Sequence, residues 1–201
     1  MMFDFLVQTY ETEILKTLSV WTMFEEGDLT VRPSPHDARG RGVREQMVHQ
    51  CLSENLWFCQ MLEIDVSAPP LPATETRLAF IERYAEDAGK RLVQLREKDE
   101  AWWQARAAFF EVQRTRAWIF TRRLNHSAHH RGQLTAMLRM LGRDLHSSYG
   151  PTADTGGLMQ HKAPTIYAYA DLAALLAGER AGGAKRALPG LTETPVTERP
   201  D

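Results

Sequence analysis

The run Leu124-Asn-His-Ser-Ala-His-His-Arg-Gly-Gln-Leu134 places three of the chain's seven histidines, His126, His129 and His130, within five positions. Imidazole is both a base near neutral pH and a neutral ligand for zinc, nickel, copper and iron. Read as a helix at about 100° per residue, His126 and His130 lie about 40° apart on one stripe with Ile119, Gln133 and Met137, and His129 falls about 60° to the other side of His126. The Cβ atoms of the pair should be about 5–6 Å apart. Each ring can then reach one cation at about 2.0–2.1 Å. In a chain with seven histidines such a pair also arises by chance. Packed or surface histidines are therefore the competing reading. Against it, two neutral imidazoles on an inward face need a partner for every ring nitrogen, and a shared cation satisfies them better than packing does. A third ligand has to come from elsewhere in the chain, and His49 borders the apolar stripe of a second helix. A site of His49, His126 and His130 leaves a coordination position open, as catalytic sites do and closed structural sites do not.

Two other metal patterns are excluded. The zinc protease motif needs a glutamate directly after its first histidine, but Ser127 follows His126. A di-iron bundle needs paired Glu-x-x-His motifs, and no acidic residue lies three positions before His49, His126 or His130. Cys51 and Cys59 are eight apart. They match neither a disulfide framework nor a zinc knuckle, and read as small core residues. No serine or cysteine nucleophile with a paired base is visible.

The elements that must position these groups read as helices. Phe3, Leu6, Val7, Tyr10, Ile14, Leu18 and Trp21 keep the three-and-four spacing of a first helix. A Gly- and Pro-bearing loop from Glu26 to Gly42 precedes a second helix, from about Val43 to Ile64. Along it, Val48, Leu52, Leu56 and Cys59 form one apolar stripe and Met47, Cys51, Phe58 and Leu62 another, which predicts a helix buried on much of its circumference. A proline-rich connection follows, and Thr74 is placed to cap a third helix that carries Leu78, Ile81, Tyr84 or Ala85, Ala88, Leu92 and Leu95 inward and ends near Lys98. The segment "DEAWWQARAAFFEVQRT" suits either the start of the next helix or a short extended crossover. A long fourth helix spans about Arg114 to Leu141, with Gly142 at its left-handed C-terminal cap. Beyond it, "TIYAYADLAALLAGE" reads as a short fifth helix. The expected fold is all-α: a helical bundle over residues 1–150, an extension over 151–180 with the short helix packing on it, and a mobile tail over 181–201, which lacks an apolar period.

Composition bounds the function. The chain has 201 residues, 43% of them hydrophobic, enough for one core. With 24 basic and 26 acidic residues well mixed, there is no electrostatic footprint for nucleic acid or an anionic membrane. Asp4, Glu11 and Glu13 stand where a signal peptide would be basic and then apolar. No stretch approaches the roughly 20 apolar residues of a membrane span. A cytoplasmic location is expected, with neither nucleic acid nor membrane as a partner.

At this point a resemblance enters. "VREQMVHQCLSENLWF" followed by "NHSAHHRGQLTAMLRMLG" resembles the DinB/YfiT-like family of metal-dependent bacterial proteins, over roughly the first 150 residues. The resemblance implies an up-down-down-up four-helix bundle, commonly a homodimer, with a three-histidine site for zinc or nickel. Carried over residue by residue, the ligands are His49, His126 and His130. A ligand pair one turn later would need His129 and Gln133, which favours the earlier pair. Relatives such as mycothiol-dependent and bacillithiol-dependent enzymes use the metal to activate a low-molecular-weight thiol. The resemblance therefore implies thiol-dependent transfer or isomerisation of a small-molecule electrophile. The alternative is a non-catalytic metal-binding or stress-response dimer. Glu45 and Gln46, about one turn before His49, are candidates to orient it. Gln133 is expected to bond to a neighbouring helix, His129 to stand by, and Trp57, Trp102, Trp103 and Trp118 to be core or interface aromatics. His36, His146 and His161 fall in loops.

Overall fold

The computed structural model describes residues 2–66 and 69–190. Its helices are α1 (Asp4–Thr22), α2 (Val43–Leu62), α3 (Arg77–Arg96), the short α4 (Glu100–Gln104), α5 (Arg116–Met140) and α6 (Leu172–Arg180). Between α4 and α5 the chain makes an antiparallel hairpin of β1 (Arg106–Phe109) and β2 (Val112–Thr115), in register from Arg106 opposite Thr115 to Phe109 opposite Val112.

Four long helices, α1, α2, α3 and α5, enclose the core, and side-chain bonds between them fix their directions. Tyr10 packs on Phe120 and Arg131 bonds to Glu13, so α1 and α5 run parallel. His49 meets His126 while Ser53 meets Arg123, so α2 runs antiparallel to α5. Arg96 pairs with Glu11 and Arg77 reaches the carbonyl of Thr22, so α3 opposes α1. Glu54 joins Tyr84 and Gln94 joins the carbonyl of Asp65, so α2 and α3 run the same way. The bundle is therefore up-down-down-up. Its core includes Leu18, Trp21, Met47, Phe58, Phe80, Ile81, Ile119, Phe120 and Leu134, each fully or almost fully buried. Leu145, Ala168, Tyr169 and Leu175 join the same cluster, which draws the chain after α5 onto the bundle.

Several boundaries depart from the sequence reading. Thr76, not Thr74, caps α3, its hydroxyl accepting from Ala79 N at 3.2 Å. Both threonines can cap. The start is set by a tertiary contact, since Arg77 N donates to Glu26 Oε2 at 2.9 Å. The short fifth helix begins only at Leu172, after Asp171, whose carboxylate accepts from Ala174 N. Upstream, the backbone pairs with the preceding loop instead, Ser147 N donating to the carbonyl of Ile166. Within the expected tail, Arg186 N bonds to the carbonyl of Ala168 and Lys185 pairs with Glu179. Residues 191–201 lie outside the described residues.

The largest correction concerns α2. Leu52 and Leu56 are each 43% exposed, and Cys59 is exposed too. The helix buries one face only, and on that face Gln46, Gln50 and Glu54 alternate with Met47, Cys51, Phe58 and Leu62. Those polar residues are inward because the bundle interior here is itself polar. Glu54 accepts from Tyr10, Tyr84, Arg91 and Arg123, all buried. An apolar period cannot locate a helix face that is built of ion pairs. Cys51, the thiol that is buried, is pushed up to about 12, chiefly by its burial.

Candidate metal centre

α2 and α5 face each other across the bundle so that His49 meets His126 and His130. The Nε2 atoms of His49 and His126 are 3.4 Å apart, and those of His126 and His130 are 3.1 Å apart. One nitrogen from each ring can be chosen such that all three lie within 4.8 Å of one another. Tetrahedral ligands at about 2.0–2.1 Å from one cation would be separated by about 3.3 Å. The donor set therefore fits a divalent cation. His130 is buried, and His49 and His126 are partly exposed at the floor of a cleft of about 380 Å³ lined by Arg41, Arg122 and His129 as well as the three histidines.

Neighbouring groups set the tautomers. Gln46 Oε1 lies 2.7 Å from His130 Nδ1, and Gln133 Oε1 lies 3.1 Å from it. Both are acceptors, so Nδ1 carries the proton and Nε2 presents its lone pair to the site. Gln46 Nε2 donates to Gln133 Oε1 at 2.8 Å, tying α2 to α5 beside the ligand. His126 is the other tautomer. Arg123, which can only donate, stands 3.0 Å from its Nδ1. The proton of neutral His126 is then on Nε2, directed at His130 Nε2. For Nε2 to ligate a cation with the ring still neutral, that proton would shift to Nδ1 and Arg123 would turn its donor away. Trp57 lies over His126 with ring centroids 5.7 Å apart. The hairpin brings Phe109 to 5.3 Å from Trp57, making an aromatic wall beside the site.

Burial, the Arg123 guanidinium and the adjoining imidazoles hold His126 down to about 3. Burial and the neighbouring histidines hold His130 down to about 4. His49 is lowered by its burial and by Arg41 and Arg123. The folded site keeps these rings neutral, ready as ligands, where the unfolded chain would protonate them below about pH 6.5. Between about 4 and 6.5 the unfolded chain binds more protons, so stability rises with pH across that window. The metal-free protein is expected to lose stability as pH falls from about 6.5 towards 4, read as a falling urea midpoint. His126→Gln with His130→Gln should flatten that slope, and an unchanged slope would refute the assignment.

The sequence-predicted residues separate clearly. His49, His126 and His130 come together. His129 is exposed and touches Gln133 Nε2 at 3.0 Å, and His36 and His161 are exposed. His146 is a buried loop residue whose Nε2 bonds to the carbonyl of Arg186. Gln46 contacts His130 and not His49. Glu45 serves the loop before α2 instead, accepting from Arg32 and from Gly42 N. Trp57 and Trp103 are buried, whereas Trp118 is 43% exposed. Arg123 and Glu54 were missed from sequence. The available signal was Arg123 one turn before His126 on the same face. A supporting residue is worth about 10–100-fold in metal affinity. Gln46→Ala should weaken zinc binding by that factor while leaving one ion per chain at saturation, measured by competition with a chromophoric chelator.

The largest cleft, about 640 Å³, lies elsewhere, where residues 182–188 cross the end of the bundle. It shares no residue with the histidine site, and its Arg77, Arg143 and Lys185 are already ion-paired.

The DinB family model matches residues 3–157, most of the chain. The chain belongs to the DinB family. A crystal structure of a DinB-like protein from Bacillus cereus superposes with a TM-score of 0.60 at 17% identity, over 72% of this chain and 95% of that one. At that identity the likeness shows the shared DinB fold alone. No curated protein matches the sequence. The matched span covers the bundle and all three histidines, and stops before α6. Among the described residues no helix is long and apolar enough to cross a membrane.

Proposed function

We propose that this chain is a metal-dependent enzyme in which His49, His126 and His130 hold a divalent cation, zinc or nickel, that activates a low-molecular-weight thiol for transfer to a small electrophile or for isomerisation through such an adduct. The observation that carries this reading is the convergence of three imidazoles at the floor of an open cleft whose lining includes no carboxylate. Three ligands leave a position for a reactant, and an open cleft lets one arrive. A cation held by neutral imidazoles keeps its positive charge and lowers the pKa of a thiol beside it. The thiol proton would pass to solvent water, the sulfur lone pair would form the bond to the electrophilic carbon, and the leaving group would depart with the bonding pair. In isomerisation the sulfur is itself expelled afterwards. The chain's own contributions are to hold the imidazoles neutral, to orient His130 through Gln46, and to screen one side of the site from water with Trp57 and Phe109. We further propose a cytoplasmic homodimer acting on a small molecule, with neither nucleic acid nor membrane as partner.

The test is thiol consumption by zinc- or nickel-loaded protein across a panel of bacterial thiols and electrophiles. Metal-dependent turnover lost in His49→Ala supports the proposal. Full metal loading with no thiol consumed anywhere in the panel, and unfolding on chelation, would instead assign the histidines to a non-catalytic metal-binding protein.

A further inference from the structure

Arg41, from the loop before α2, and Arg122, from α5, line the same cleft as the three imidazoles. Neither forms an ion pair with a carboxylate among the described residues, in contrast to the site's third arginine, Arg123, which Glu54 neutralises. Both residues are exposed, and two cationic side chains on one concave surface attract an anion to it.

Arg41 is held where it is by the backbone around it. Gly42 packs so close to the chain that a Cβ there would lie 2.8 Å from the carbonyl oxygen of Val31. Val43 N donates to that same oxygen at 3.0 Å. Arg32 spans the loop, donating to the carbonyl of Gly40 at 2.8 Å and pairing with Glu45 on α2. The segment that presents Arg41 is therefore bonded on both sides of it. Arg122 projects from the second turn of α5, one turn before His126. Two guanidiniums on a braced loop and a rigid helix suit recognition of a planar carboxylate, which arginine binds with paired N–H donors.

On the far side of His49 the surface changes character. A second cleft, about 400 Å³, is lined by Leu52, Leu56 and Pro70 together with His49, Ser53 and Asn55. Leu52 and Leu56, each 43% exposed, are the apolar stripe that the bundle leaves uncovered. His49 belongs to both clefts. The metal site thus sits between an arginine-lined surface and an apolar one.

We infer that the site takes a small organic anion with an apolar body, its carboxylate held by Arg41 and Arg122 and its hydrocarbon part lying on Leu52, Leu56 and Pro70 across His49. This rests on the proposed function for its purpose, but anion binding is measurable without metal or turnover. The experiment is calorimetric titration of the full chain, metal-free and zinc-loaded, with hexanoate, acetate and 1-hexanol. Hexanoate should bind the metal-free chain at least 10-fold more tightly than either 1-hexanol or acetate, and more weakly as salt is raised. Arg41→Gln with Arg122→Gln should cut hexanoate affinity at least 10-fold while circular dichroism and zinc stoichiometry stay as in the wild type. Leu56→Ser should weaken hexanoate and leave acetate unchanged. Hexanoate affinity of the arginine double variant within twofold of wild type, or 1-hexanol binding as tightly as hexanoate, would overturn the inference. Equal affinity for acetate and hexanoate would overturn its apolar half. Hexanoate binding that needs both arginines in a chain that takes up no zinc would leave this inference standing and remove the proposed function.

Discussion

His130→Ala and His49→Ala proteins are expected to retain no stoichiometric zinc or nickel by elemental analysis after dialysis, whereas His129→Ala keeps about one ion per chain. The contrast follows from position. His49 and His130 present ring nitrogens to the common point where His126 also points, while His129 is exposed and faces Gln133. Removing one of three ligands costs more affinity than removing a residue that only supports a ligand, itself worth about 10–100-fold. His49 is the informative choice because it alone comes from α2, so its loss tests whether two helices meet around one ion rather than whether a histidine-rich helix binds metal by itself. His126→Ala belongs to the same set. Metal retained stoichiometrically after His49→Ala and His126→Ala would rule out the site.

The second large effect is on stability. Glu54 is fully buried between α1, α2, α3 and α5. Its carboxylate accepts from Tyr10 at 2.6 Å and Tyr84 at 2.7 Å, and from Arg91 and Arg123 at 3.2 and 3.1 Å. Burial alone would raise its pKa, but Arg123, Arg91 and the hydrogen bonds from Tyr10 and Tyr84 together outweigh that and hold it below the usual carboxylate value, so it stays charged. Arg91 and Arg123 are each only 1% exposed, and Glu54→Gln would leave two buried guanidiniums facing a neutral amide. Breaking a buried pair by removing one partner costs about 3–5 kcal/mol. Urea denaturation of Glu54→Gln should show a loss of that order, and a loss below about 1 kcal/mol would mean that the network does not anchor the bundle. Because Arg123 also reaches Ser53 Oγ at 2.9 Å and His126 Nδ1 at 3.0 Å, the same substitution should weaken metal binding. The ion-pair network that joins the four helices is therefore also the support behind the metal site.

What could be read without the fold depended on the kind of signal. α1 and α3 were legible because apolar residues occupy their inward positions, and Tyr10, Ile14, Leu18, Ile81, Leu92 and Leu95 are all buried as the period requires. α5 was legible in extent to within two residues at either end, since Thr115 caps it and Gly142, at φ +65°, ends it. α2 was legible as a helix but not in its orientation. Its inward Gln46, Gln50 and Glu54 are polar and its Leu52 and Leu56 face outward, so periodicity pointed to a stripe that the bundle leaves exposed. The hairpin was legible only as one of two alternatives, an extended crossover or the start of a helix. Its burial alternates weakly, its turn uses Phe110 at φ +51° where glycine or asparagine is usual, and "AWWQARAAFF" suits helix and strand equally.

By itself the sequence determined that His126 and His130 share a helix face, because spacing along a helix is a local property, and that the chain folds as an all-α bundle, because periodic apolar residues must be buried. It named His49 as the third ligand, aided by the likeness of two motifs to a family. Only the tertiary structure decided that His49 and His126 approach to 3.4 Å, that Gln46 and Arg123 set the two ring tautomers, and that Arg41 and Arg122 face the same cleft. The approaches of His49 to His126 and of Gln46 to His130 join residues distant in the chain, whereas Arg123 is one turn from His126, and the cross-helix approaches exist because the Glu54 ion-pair network and the apolar core hold α2 against α5. The polar inward face of α2 is unreadable from sequence for the same reason: a buried charge is stable only opposite its partners, and the partners are brought to it by the fold.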